Sequence, residues 1–214
     1  MIGIEEPRRV GTSVLKAVKA VKSAPAAIVI ALSATLVAAG CGHSPPTRYV
    51  ALSAMPGSAP NASEPIAPVQ LTAVHVPAEL DRLEVVVQRS ANRLVIDDGA
   101  RWGAPLDRMM RQTLTQDLLT RLPEGTVVLP DAPRQADTRT LVVTVLDAHA
   151  DESGTLTFEV AWTVLSGHPE RVTSSRETTL TAQITQHDAA AQAAALSAIL
   201  GQLADRIASA LGGR

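Results

Sequence analysis

The sequence predicts an α+β fold: an antiparallel or mixed sheet whose C-terminal strands form a β-meander, packed by two main helices. Three observations carry this reading. Residues 155–165 alternate strictly, with Leu156, Phe158, Val160, Trp162 and Val164 on one face and Thr155, Thr157, Glu159 and Thr163 on the other. Residues 105–122 instead repeat at three and four, through Leu106, Met109, Met110, Leu114, Leu118 and Leu122. A second helical stripe, Leu196, Ile199, Leu200, Leu203, Ile207 and Leu211, follows the last strand and should lie on the sheet.

The chain opens on Arg8, Arg9, Lys16, Lys19 and Lys22, followed by an apolar run over 24–39 and then Gly40 and Cys41. A basic start, a short apolar stretch and small residues before a junction mark a secretory signal. Ending on Gly40-Cys41 makes it a lipoprotein signal, so residues 1–40 are expected to be removed and Cys41, the only cysteine, to carry diacylglycerol. The run is 16 residues long, short of the roughly 20 that a spanning helix needs. Ala38 stands where the best such junctions have leucine. An uncleaved anchor and ordinary cleavage are the alternatives.

Every lysine precedes the apolar run, where cytoplasmic positive charge belongs. From Cys41 onward 14 Arg face 19 Asp plus Glu, a balance of −5. That argues against nucleic acid, which needs clustered cations. Residues 42–47 form a polar tether reaching about 20 Å when extended. Gly42 lacks the aspartate that holds enteric lipoproteins at the inner membrane, so the inner leaflet of the outer membrane, with the domain in the periplasm, is expected. The remaining residues, 48–214, fit one domain.

Within it, 49–52 reads as a strand and 53–68 as a proline-rich loop containing an incidental Asn61-Ala62-Ser63. Residues 69–76 form a strand stopped by Pro77. Residues 84–88 and 93–96 form a hairpin about Ser90-Ala91-Asn92, after which Asp97-Asp98-Gly99 turns the chain. Pro105 opens the first helix; Pro123 and Gly125 stop it. A short strand at 127–129 precedes the meander strands 139–148, 155–165 and 171–184. The first two join at Asp151-Glu152-Ser153-Gly154, and the third alternates through Val172, Thr178, Leu180, Ala182 and Ile184. Asp188 caps the last helix and Gly212-Gly213 ends it.

Catalytic patterns are missing from the sequence. His43, His75, His149, His168 and His187 are scattered without ligand spacing, and there is no Gly-x-Ser-x-Gly elbow or phosphate-binding glycine loop. Asp97-Asp98 and Asp151-Glu152 flank glycines as solvated turns do. No metal and no cofactor is expected beyond the lipid on Cys41. Trp162 and the pair Met109-Met110 read as core. Two pairs remain as structural or partner-facing candidates: Asp81-Arg82 between strands, and Arg101-Trp102 before the first helix.

The order of Arg48-Tyr49-Val50-Ala51-Leu52, Val76-Pro77-Ala78-Glu79-Leu80-Asp81-Arg82, Val85-Val86-Val87-Gln88-Arg89, Arg101-Trp102-Gly103-Ala104-Pro105-Leu106 and Val160-Ala161-Trp162 resembles the PqiC/YmbA-type family. These are auxiliary lipoproteins of ABC-type and MCE lipid transport systems. The chain departs from the family where Glu79 replaces an aromatic, where Leu83-Glu84 replaces Pro-Gln and where Gly103-Ala104 replaces Ala-Glu. The resemblance implies a non-enzymatic component on the outer membrane, working with an MCE-domain protein and a membrane permease, and able to form a homo-oligomeric ring. A stand-alone periplasmic lipid carrier and an envelope structural or assembly lipoprotein are the alternative functions.

Overall fold

A computed structural model describes residues 46–57, 65–90, 93–186 and 188–212, without the side chains of 87–90 and 93. The strands divide between two sheets. In the smaller, β1 (Arg48–Val50) runs parallel to β4 (Arg93–Trp102), and β4 pairs antiparallel with β3 (Glu84–Ser90). The larger has the order β5-β2-β6-β7-β8. There β2 (Val69–His75) lies parallel to both β5 (Val127–Val128) and β6 (Arg139–Ala150), while β6, β7 (Thr155–Ser166) and β8 (Arg171–Gln183) form the expected meander.

β7 buries every second residue, as its alternation requires. Its inward face, with Leu71, Leu141 and Val143 of neighbouring strands, meets both helices. Helix α1 (Leu106–Leu119) covers β2 and helix α2 (Ala189–Leu211) covers β7 and β8, and the helices pack on each other. Leu114, Ile199, Leu200, Leu203 and Ile207 are fully buried, each stabilising the fold by about 1.5–3 kcal/mol. Asp188 Oδ1 accepts from the Ala191 N–H at 2.8 Å, a cap worth about 1 kcal/mol. At the other end of α2 the Gly212 N–H donates to Ala208 O at 3.0 Å, so the helix ends at the first of the two expected glycines.

Two expectations need correction. Asp97-Asp98-Gly99 does not reverse the chain; β4 runs through it. The pairing with β3 jumps from Val85↔Asp97 to Glu84↔Arg101, so the turn-forming residues are taken up in a bulge. The Gly99 N–H donates to Asp97 Oδ1 at 2.9 Å inside it. Val172 is 61% exposed rather than on the core face. A register shift pairs Val164 with Ser174 but Leu165 with Val172, which moves Val172 to the opposite face. The Thr173 hydroxyl there donates to Val164 O at 3.0 Å.

Candidate functional site

The pleat of β4 separates the Arg101-Trp102 pair. Arg101 stands between Tyr49 of β1 and Glu84 of β3, while Trp102 stands opposite Val50. Successive strand residues point to opposite faces, so Trp102 turns inward and is 4% exposed, and the Arg101 side chain is 45% exposed. The Trp102 N–H donates to Leu83 O at 2.7 Å and the Gly103 N–H to Val50 O at 2.9 Å, which extends the ladder into the loop. Trp102 is therefore a core residue, and Arg101 faces outward.

Asp81-Arg82 lies in a turn built on Pro77, whose carbonyl accepts from the N–H groups of Leu80 and Asp81 at 2.9 and 3.1 Å. Arg82 Nε is 3.7 Å from Glu84 Oε2, and Arg101 Nη2 is 3.9 Å from Glu84 Oε1. One carboxylate thus sits between two guanidinium groups, beyond hydrogen-bonding distance of both. Exposed pairs of this kind add at most about 1 kcal/mol. Arg82 and Arg101 therefore keep donors for another molecule. Tyr49, beside Arg101 in the ladder, is 70% exposed, and Leu83, just before Glu84, is 46% exposed. Next to Tyr49 on β1, Arg48 Nη2 pairs with Asp97 Oδ2 at 3.4 Å. Asp81 is exposed and has no ion-pair partner among the described residues. Tyrosine and arginine side by side on an exposed strand row are recognition chemistry, and among the described residues the patch holds no nucleophile beside a base.

The segment after β1 is held by a cluster that sequence reasoning missed. The Met55 N–H donates to Asp117 Oδ1 at 2.6 Å, and Arg121 Nη1 donates to Met55 O at 2.9 Å. Arg121 Nε also donates to Asp205 Oδ1 at 2.6 Å on α2. Ser197 Oγ accepts from the Ser53 N–H at 3.1 Å. Asp117 is fully buried, and burial raises its pKa; the Met55 N–H and Arg121 act in the opposite direction. A Cβ on Gly201 would lie 2.9 Å from Met55 Cβ, so the loop rests directly on the backbone of α2. The usable sequence signal is Asp117 and Arg121, an acid and a base four apart at the end of the 105–122 helical repeat.

Asp151 is fixed as a turn residue. Its Oδ1 accepts from Ser153 N, Ser153 Oγ and Thr155 N at 2.9, 2.6 and 2.9 Å, and the Ser153 hydroxyl leads in holding its pKa down. Among the described residues no three His, Cys, Asp or Glu side chains come together as metal ligands, and no helix is long and apolar enough to cross a membrane. Cys41, Gly40, the signal 1–40, most of the tether, His43, His187 and the 61–63 triplet lie outside the described residues, as do Ala91 and Asn92 of the hairpin turn.

The family model described as ABC-type transport auxiliary lipoprotein component matches residues 49–208. No curated protein sequence matches the chain. Among solved structures, a crystal structure of an uncharacterised protein superposes with TM-score 0.64 at 24% identity, covering 78% of this chain and 99% of that one. Protein XCC0632 from Xanthomonas campestris superposes with TM-score 0.61 at 20% identity, covering 76% and 94%. These two likenesses are likenesses of fold.

Proposed function

The chain belongs to the family of ABC-type transport auxiliary lipoprotein components, and on that premise we propose that it is a docking subunit without enzymatic activity. In this reading Cys41 carries the lipid that holds it to the inner leaflet of the outer membrane. Its domain then receives an MCE-domain protein, which a permease in the inner membrane serves. The observation that carries the reading is the row Tyr49–Arg101–Glu84 across the smaller sheet. Tyr49 and Arg101 are exposed and are of the types that dominate binding energetics elsewhere, and the row begins within eight residues of Cys41. Chain length alone keeps Tyr49 within about 29 Å of the lipidated residue.

The interior supports docking over carriage. The cavity between Leu80, Val86, Trp102, Leu106, Phe158 and Leu196 holds about 40 Å³, whereas sites for small molecules span about 300–1,000 Å³. An acyl chain does not fit without opening the core.

A photo-crosslinking amino acid at position 49, introduced in the native envelope, tests the reading. Capture of an MCE-domain protein, lost on Arg101→Glu, supports it. A residue 49 that captures nothing but lipid contradicts it.

A further inference from the structure

A second surface feature lies away from that face, where α2 passes over β8. An open groove of about 410 Å³ runs between them, lined by Trp162, Arg176, Thr178, Arg206 and Ser209. Arg176 is the cross-strand partner of Trp162, and Thr178 that of Val160, so their side chains share the face covered by α2. Glu177 pairs with Ala161 and by alternation turns to the opposite face, so it borders the groove with its backbone. On the helix wall, Arg206, Ser209 and Ala210 recur at three and four. One turn earlier Gln202 Nε2 donates to Thr181 O at 3.1 Å and closes the upper end.

Two observations on this groove are independent. Arg176 and Arg206 are both exposed, and neither forms an ion pair among the described residues, although the chain from Cys41 onward is acidic. Trp162, at its floor, is 4% exposed, and its Nε1–H is buried with no acceptor among the described residues. Buried donors are normally satisfied. The free carbonyls at the end of α2 oppose an anion, but they amount to about half a charge against two guanidinium groups. A carboxylate is saturated by one arginine fork. Two arginines on facing walls, a serine hydroxyl and an indole N–H suit a group with three or more acceptor oxygens.

We propose that this groove binds a phosphate group, carried by a diester headgroup or present as free phosphate. The site stands apart from the docking reading and does not depend on it. The chain has two tryptophans, so ¹⁵N-labelled full-length protein in a phosphate-free maltoside gives two indole resonances, assigned with Trp162→Phe. Inorganic phosphate, glycerophosphoglycerol or phosphatidylglycerol doped into the micelles is added, with sodium chloride of equal ionic strength, sodium acetate and diacylglycerol as controls. The expected result is a saturable shift of the Trp162 resonance with Trp102 unmoved, and binding weakened about tenfold or more by each of Arg176→Gln and Arg206→Gln. Saturation by inorganic phosphate as tight as by the diester identifies free phosphate as the source; saturation by the diester or phosphatidylglycerol alone identifies a headgroup. The proposal is overturned if no phosphate probe exceeds the chloride control, if acetate matches phosphate, or if the double glutamine variant titrates like the native chain.

Discussion

Tyr49 lies directly opposite Arg101 in the parallel ladder between β1 and β4. The strand that follows the tether therefore places its aromatic ring on the same exposed row as the outward arginine, and the smaller sheet joins the start of the domain to the proposed docking face. Nothing in the core requires either side chain. Tyr49→Ala and Arg101→Ala are expected to leave the unfolding free energy, measured in urea, within about 0.5 kcal/mol of native. Both should lose retention of the transport partner in co-purification from solubilised membranes. A variant that unfolds early and still binds would reverse this assignment.

Trp102 should behave in the opposite way. It is buried where β4 gives way to α1, and Trp102→Ala should cost about 3–5 kcal/mol, read by equilibrium unfolding. A loss under about 1 kcal/mol would show that the ring does not fill the core.

Asp117 gives a pH signature. Burial raises its pKa in the folded protein above the ordinary 3.8. The folded state therefore holds its proton over a window where the unfolded chain has released it. Stability from this group is fully present below pH 3.8 and is lost as pH rises through the folded pKa. Asp151 and Glu170 have lowered pKa values, so their contributions are present above the ordinary carboxylate range and fade as pH falls through it. Above the ordinary range, then, a decline in stability toward neutrality belongs to Asp117. Unfolding free energies measured across that window should show the decline in the native chain and a flatter line in Asp117→Asn.

The Asp117 cluster also holds the loop after β1. Asp117→Ala leaves the Met55 N–H without its acceptor and removes the carboxylate that lies 3.6 Å from Arg121 Nη1, and it should cost about 1–3 kcal/mol. Amide exchange at Met55 should accelerate with it; unchanged protection at Met55 would refute the latch.

Gly201→Ala places a methyl group 2.9 Å from Met55 Cβ and should cost about 1–3 kcal/mol through overpacking. Met55→Gly in the same chain should recover most of that loss, because the clash is with this one side chain. A double variant no better than Gly201→Ala would mean that other atoms carry the strain.

What could be read in advance follows from the range of the forces involved. β7 and the two helices were legible because one buried face imposes a local period, and Leu156, Phe158, Val160, Trp162 and Val164 all kept it. Val172 was misplaced because a single extra residue in β8 flips the alternation, and the partner strand decides where that residue goes. Asp97-Asp98-Gly99 has turn chemistry, but pairing with both β1 and β3 carries the strand through it. At the candidate face, Arg101 and Arg82 were singled out, yet their common partner Glu84 and the neighbour Tyr49 come from other strands and depend on register. The Asp117–Met55 bond spans 62 positions, which no local pattern encodes.

Intact mass spectrometry of the native protein extracted from membranes tests the central claim most directly. A lipid-anchored docking subunit predicts a chain beginning at Cys41 with added fatty-acyl mass. Cys41→Ala should instead leave a precursor that incorporates no labelled palmitate. A native chain that starts upstream of Cys41, or starts there without acyl mass, would contradict the account.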